Sequence, residues 1–426
     1  MLLKSFITIS HALMRLLYTL SVYIYTFSIH LAARFNSKAL LWVNGRKEQY
    51  ARLEEVSEKS EKWLWFHAAS LGEFEQGRPV IEACKQQFPD YAILLTFFSP
   101  SGYEIRKDYQ LADYVAYLPA DTPLNARRFI NLFKPKAAFF IKYEFWFNYM
   151  YALNRNKIPL YYISARFRKG QHFFAFYGYW FRKQLKNVKH FFVQDKVSAS
   201  LIDAIGLRNY TITGDTRFDR VASLAATAKR FGLAEHFKGN NKLIIAGSTW
   251  PPDESLLLGL IPQLPENYKL LIAPHDVGPA HITSICQQLT TSYQLYSQYN
   301  EQIKADILVL DSIGILSQLY QYADFVYVGG GFGQSIHNIQ EPVTFGCPVI
   351  FGPNYHKFTE ANDLIRLGGA FCINNAQELI QISLKLIHDR KFREESSHIC
   401  KNYVAQQSGA TKLIVKYLEE NFFGEK

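Results

Sequence analysis

Short apolar runs alternate with amphipathic stretches through most of the chain. From Glu61 onward, runs that read as buried strands fall at Trp63–Ala68, Ala92–Phe97, Ala137–Ile141, Leu160–Ile163, Phe191–Val193 and Thr211–Thr213. Segments between them, such as Gln76–Gln87 and Asn125–Leu132, space their apolar residues for one face of a helix. The stretch from about Asp219 to Asn241 has only helical character and few apolar anchors beyond its alanines, and reads as a linker. The alternation resumes at Leu243–Ala246, Leu270–Ala273, Ile307–Leu310, Phe325–Val328 and Val349–Phe351, and Ala376–His388 and Thr411–Asn421 predict closing helices. Strands alternating with helices predict parallel, doubly wound sheets covered on both faces. The expected organisation is α/β: a first domain over 41–220 and a second over 221–426, the layout of a two-domain cleft enzyme.

The first forty residues follow a different pattern. From Leu16 to Ala33 no side chain carries a fixed charge, and the content is mostly Leu, Tyr, Ile, Phe, Val and Ala. Eighteen such residues lie at the short end of a membrane span. No small-x-small site ends the run as in a cleaved signal peptide. Arg34, Lys38, Arg46, Lys47 and Arg52 follow it, the heavier positive flank, which places the main body on the cytoplasmic face of an inner membrane. The same pattern fits a spanning helix, one lying in the interface plane, or a buried helix of the first domain. Membrane attachment is the expectation.

Composition changes the picture in two respects. Lys and Arg number 47 against 37 Asp and Glu, a formal charge of +10, which favours an anionic partner. Nucleic-acid motifs and zinc-type Cys/His spacings are absent from the sequence, so neither a nucleic-acid partner nor a metal is expected. The five cysteines are odd in number and scattered, as in a protein with reduced thiols.

Candidate chemistry sits where predicted strands end. Phe325–Val328 runs into Gly329-Gly330-Gly331-Phe332-Gly333, and a helix is expected to open at His337 or Asn338. Glycines permit close backbone approach, and unpaired N–H groups at a helix start attract an anion. Glu341, one turn in, is placed to accept hydrogen bonds from ribose hydroxyls. A plain strand-to-helix turn gives the same letters, and the spacing is not G-x-G-x-x-G. In the first domain, His67-Ala-Ala-Ser-Leu-Gly-Glu73 ends one strand, with Glu73 placed either as a general base or as a helix-dipole partner. Lys142 and Glu144 follow another strand and read as a surface ion pair or as site residues. Arg217 ends the domain as a cleft-facing cation or a solvated loop charge. Ala246–Thr249 and Pro274-His275 follow strands of the second domain, with groups suited to a phosphate or a base.

Taken in order, these motifs resemble the Kdo transferases, the 3-deoxy-D-manno-octulosonic acid transferases of lipopolysaccharide biosynthesis. The resemblance runs through His67–Glu73, Thr96–Gly102, Tyr117–Asp121, Glu144-Phe145-Trp146, Ser164-Ala165-Arg166, Thr213–Asp219, Ala246–Thr249, the glycine loop with His337-Asn338 and Glu341, and Gly352-Pro353. It implies a GT-B architecture, two Rossmann-like domains facing across a cleft. It also implies a metal-free, cofactor-free inverting transfer of Kdo from CMP-Kdo to a lipid A precursor of the lipid IVA type. On that resemblance Glu73 is the base, Arg217 takes the place of a lysine that stabilises the transition state, and Lys142 stands where a glutamate is usual. CMP binding falls to Pro274, His275, Ile313, Gly314, Ile315, Asn338, Ile339, Gln340 and Glu341. His275 replaces an arginine, and Ile313-Gly314-Ile315 keeps only the glycine of a Met-Gly-Glu. The alternatives are a GT-B sugar-nucleotide epimerase and a non-catalytic descendant that binds nucleotide or lipid.

Overall fold

The structure, a computed structural model, describes residues 2–424, with side chains from Leu13 onward. The chain divides into two compact units: one holds the residues up to Asp219 together with those from Gly409 onward, and the other holds Arg220–Ser408.

The first unit is built on a seven-stranded parallel sheet. Its strands are β1 (Trp63–Ala68), β2 (Ala92–Phe97), β3 (Tyr114–Tyr117), β4 (Ala137–Ile141), β5 (Leu160–Ala165), β6 (His190–Val193) and β7 (Tyr210–Ile212). Their order across the sheet is β3-β2-β1-β4-β5-β6-β7. All six residues of β1 are buried, and so are all five of β4, because helices cover both faces and leave no wet side. Chain order reverses between β1 and β4, which opens a crevice beyond their carboxyl ends.

The second unit repeats the plan with β8 (Lys242–Thr249), β9 (Tyr268–Pro274), β10 (Tyr293–Leu295), β11 (Ile307–Val309), β12 (Phe325–Val328), β13 (Val349–Phe351) and β14 (Ala370–Cys372). The order is β10-β11-β9-β8-β12-β13-β14, so its reversal falls between β8 and β12. Two parallel-sheet α/β domains of this kind constitute the GT-B fold.

Three strands have no counterpart in the hydrophobic pattern: β3, β10 and β14. All three lie at sheet edges. An edge strand has one partner and needs only three or four residues, so it leaves no long apolar run in the sequence. The domain boundary also differs from a single cut at 220. The helix Ala410–Leu418 packs Ile414 and Leu418 into the first unit's core beside Phe74 and Cys84. Asp219 holds its start by accepting from the Thr411 N–H and hydroxyl, each at 2.6 Å. The apolar periodicity shows that this helix has a buried face but not which domain buries it.

The N-terminal apolar run lies in helix α1 (Leu2–Ala32), followed by α2 (Ser37–Gly45). Among the described residues no single helix is long and apolar enough to cross a membrane; α1 and α2 together pass by length and composition, bent by 118°. Arg46, just after α2, ties that helix to the sheet. Its guanidinium donates to the carbonyls of Trp42, Phe98 and Leu118 and lies over the Trp42 ring.

Candidate functional site

Each domain carries a polar cluster at its own reversal point. In the first, β1 ends at Ala68 and Ser70 opens the helix Leu71–Gln87. Glu73 sits in the first turn of that helix, only 9% exposed, and accepts from the Ser70 hydroxyl. Across the reversal, Glu144 follows β4 and accepts from the Trp146 indole N–H at 3.0 Å. Burial, and then the nearby Glu73 carboxylate, push the Glu144 carboxyl up to about 8. Two carboxylates close together in a poorly solvated place resist double ionisation, and here the proton stays on Glu144. Glu144 is thus set beside an indole and a second acid, with Lys142 acting on its charge more weakly.

Lys142 holds a left-handed backbone, φ 71°, and its ammonium lies 4.9 Å over the Tyr143 ring. Such a conformation in a residue with a Cβ costs about 1–2 kcal/mol and is retained only where the surroundings enforce it. Its N–H donates to Ile163 O at 2.8 Å, which fixes the turn. His67 is fully buried, and its Nδ1 lies 2.9 Å from the Thr96 hydroxyl. Burial lowers its pKa to about 3, so the ring is neutral under physiological conditions.

Arg217 is fixed by its neighbours. Thr216 donates to Gln76 O in the Glu73 helix and bonds the Ser164 hydroxyl at 2.8 Å, which pins the loop. The Arg217 guanidinium forms a two-pronged pair with Asp215, at 2.9 Å from Nε and 2.6 Å from Nη2. The expected solvated or cleft-facing charge is therefore already compensated by a carboxylate.

In the second domain β12 leads into the glycine loop. A Cβ on Gly331 would meet the Gly352 backbone at 2.6 Å, and Gly330 has φ 88°. Asp253, 1% exposed, holds this loop, accepting from Gly330 N–H at 2.9 Å, Trp250 N–H at 2.9 Å and the Tyr327 hydroxyl at 2.7 Å. Beside it is a cavity of about 520 Å³ lined by Trp250, Asp253, Gly330, Ser335 and His337, among others. Trp250, His275 and His337 form a stack, with ring centroids 4.6 and 4.5 Å apart. The Trp250 indole donates to His337 Nε2 at 2.9 Å, so Nδ1 carries the proton on a neutral His337 ring. Burial first, and then His275, lower the His337 pKa.

The remaining expected CMP-site residues divide. The helix after the loop runs only over Gln340–Thr344, two or three positions later than expected. Asn338 is exposed and lies just before it, accepting from Gln340 N–H at 2.9 Å and donating to Glu341 at 3.2 Å. The Gln340 N–H is thus engaged rather than open to an anion, and its side-chain amide donates to Glu360. Ile339 is a core residue, 1% exposed. Pro274 is buried at the end of β9, whereas His275 is exposed. Ile313 is 82% exposed, and Gly314 takes φ 97° in the loop after β11. Ile315 caps the short helix Leu316–Leu319. Glu341 lies near buried Tyr320, whose ring would meet a Cβ placed on Gly247 at the end of β8. The Glu341 side of the glycine loop and the segment after Ile315 therefore converge on the end of β8.

The family model of the 3-deoxy-D-manno-octulosonic-acid transferases (kdotransferases) matches residues 44–220, the segment that carries Glu73, Glu144 and Arg217. The 3-deoxy-D-manno-octulosonic acid transferase of Aquifex aeolicus is 27% identical over 340 residues, covering 77% of this chain and 87% of that one. The chain is thus similar to this family through the matched segment and, through that relative, over about three quarters of its length. A second kdotransferase relative, from Haemophilus influenzae, is 24% identical over 393 residues, covering 88% of this chain and 91% of its own. The fold is also that of a crystallised UDP-N-acetylglucosamine 2-epimerase, with a TM-score of 0.59 at 14% identity, covering 86% of this chain and 97% of that one. Similarity to these transferases over most of its length identifies the chain as a glycosyltransferase.

Sequence reasoning missed Asp253 and the stack of Trp250 with the two histidines. A signal for Asp253 was present: in Trp250-Pro-Pro-Asp253 the prolines open a helix, and an acid three residues after its cap sits at the helix start. Nothing in the linear order brings Trp250, His275 and His337 together, because they follow three different strands.

Proposed function

We propose that this chain transfers Kdo from CMP-Kdo to a hydroxyl of a lipid A precursor of the lipid IVA type, at the cytoplasmic face of an inner membrane. The observation that carries the reading is Glu73, a buried carboxylate oriented by Ser70 at the sheet reversal, within the segment that matches the family model. Glu73 takes the proton from the acceptor hydroxyl as its oxygen attacks the anomeric carbon of Kdo. The bond from that carbon to the CMP phosphate breaks, and CMP leaves with the electron pair. One displacement inverts the configuration. Glu144, beside Glu73, holds its proton to a higher pH than an ordinary carboxyl, because burial and the neighbouring acid both raise it.

Lys142 supplies positive charge for the transition state, while Arg217 is held by Asp215 beside the Glu73 helix. The second domain holds CMP, with Asn338 and Glu341 directed to the ribose and phosphate, Pro274 and His275 at the end of β9, and Gly314 in its turn. The stack of His275 between Trp250 and His337 takes the place of an arginine, so a flat aromatic surface replaces a fixed charge there.

The test is Kdo transfer to a tetraacylated lipid A precursor, with CMP-Kdo generated in the assay. Glu73→Gln should lower turnover by roughly 10²-fold or more, as expected of a lost general base, with CMP affinity unchanged by calorimetry. Equal turnover of variant and wild type would remove Glu73 from the mechanism. CMP binding by a wild type that transfers nothing would identify a non-catalytic descendant.

A further inference from the structure

We infer that Trp146 is a positioning residue for the transfer: its indole N–H holds the Glu144 carboxyl beside Glu73, and an aromatic brace anchored on Arg46 holds the indole. This rests on the reading of Glu73 as the base, and it gives a role to the side chains packed behind the two acids.

The brace starts from a cation that the fold has fixed. The Arg46 guanidinium donates to the Trp42, Phe98 and Leu118 carbonyls, and three backbone acceptors leave it little freedom to turn. It lies 5.1 Å from the centroid of the Phe98 ring. A desolvated cation over a ring attracts it more strongly than an exposed one. Phe98 follows β2, and its ring packs on Trp146 with centroids 4.6 Å apart. Trp42 meets the same phenyl ring edge-on at 5.8 Å. His67 of β1 in turn meets the Trp146 indole edge-on, at 5.9 Å.

The backbone under Trp146 is fixed as well. It immediately precedes the helix Phe147–Arg155, and the buried Asp121 carboxylate accepts from the Asn148 and Tyr149 N–H groups at 3.1 and 2.9 Å. Asp121 thus sets the start of that helix, while Phe98 and His67 set the direction of the ring. The indole has one polar atom, a donor, and it goes to Glu144 Oε2 at 3.0 Å. The Glu144 carbonyl accepts from the Tyr162 hydroxyl of β5 at 2.9 Å, so the residue is held at its backbone and at its carboxyl.

Charge explains why that carboxyl has to be held. Facing Glu144 are Glu73 from the helix Leu71–Gln87, Lys142 and Trp146 from its own turn, and Tyr162 from β5. The interaction between two acids in a poorly solvated place changes steeply with their separation. A Glu144 side chain free to swing would change the proton affinity of the base from one rotamer to the next. The indole N–H donates to a carboxylate and accepts nothing, so it favours the ionised form of Glu144 and offsets part of the rise imposed by burial and Glu73. It therefore fixes one geometry and lowers the pH at which Glu144 ionises.

The experiment joins kinetics to a spectroscopic reading of the indole. Trp146→Phe keeps a ring on Phe98 and removes the N–H. It should lower kcat for Kdo transfer about tenfold, the scale of one hydrogen bond, leave KM for CMP-Kdo unchanged, and move the ionisation of Glu144 in the pH–rate profile upward. In a Glu144→Ala background the same substitution should have no further effect, because no carboxyl is left to hold. Phe98→Leu, which spares the N–H but removes its support, should lower kcat by less. In wild type carrying 15N-labelled tryptophan, the indole resonance missing from Trp146→Phe should move with pH about a midpoint of about 8 and stand still in Glu144→Gln. Equal losses from Trp146→Phe with and without Glu144, or an indole resonance indifferent to Glu144, would overturn the inference. A wild type that shows the coupled resonance and transfers no Kdo would overturn the proposed reaction instead, and leave the Trp146–Glu144 contact standing.

Discussion

At the residue scale the informative pair is Glu73 with Glu144. Glu73 was legible because an acid just past a strand end, at a helix start, is where open α/β sheets gather ligands. The environment of Glu144 was not, because it combines burial with the charge of an acid 71 positions away in sequence. A carboxyl raised from 4.5 to about 8 binds more protons folded than unfolded between those values, so its contribution to stability falls as pH climbs through that window. Glu144→Gln removes this slope: the melting temperature of the variant should decline less than that of wild type between about pH 5 and pH 8. His67 acts at the other end. Its pKa, lowered from 6.5 to about 3, makes stability fall as pH drops through that range, since only the unfolded chain takes up the proton. Melting curves across pH on both proteins check the two arms together.

At the scale of elements, the glycine loop shows how far local signals reach. Strand β12 and the glycines were readable from their letters, and the close backbone approach at Gly331 explains why they are needed. The start of the next helix was placed too early. Ser335 to Ile339 are polar and apolar in an order that a helix or an extended loop both satisfy, and the structure starts the helix at Gln340, whose N–H is taken by the Asn338 side chain. What holds the loop is Asp253, which serves three donors at once. Asp253→Ala leaves the Gly330 and Trp250 N–H groups and the Tyr327 hydroxyl without their acceptor. It should cost the second domain about 2–4 kcal/mol in chemical denaturation, and weaken CMP binding measured by calorimetry. Loss of CMP binding with unchanged stability would instead make Asp253 a ligand contact.

At the scale of the whole molecule, the last helix stabilises the first domain, although the chain reaches it only after completing the second. Phe88 stacks on Phe423 at 3.5 Å, and Ile414 and Leu418 complete the core beneath the Glu73 helix. Ending the chain at Ser408 should therefore lower the melting temperature of the first domain, read by hydrogen exchange in β1 and β4, while β8 and β12 keep their protection. Uniform loss of protection in both domains would refute that assignment. The sequence by itself determined the α/β alternation, the two successive parallel sheets, the glycine loop and the position of Glu73, because each rests on periodicity or on backbone demands that act over a few residues. Tertiary structure alone decided the edge strands, the return of the C-terminal helix, the pairing of Arg217 with Asp215, and the stack of Trp250 on two histidines. Each of these depends on which surfaces meet across tens to hundreds of residues, and burial, unlike periodicity, is a property of the partner as much as of the segment.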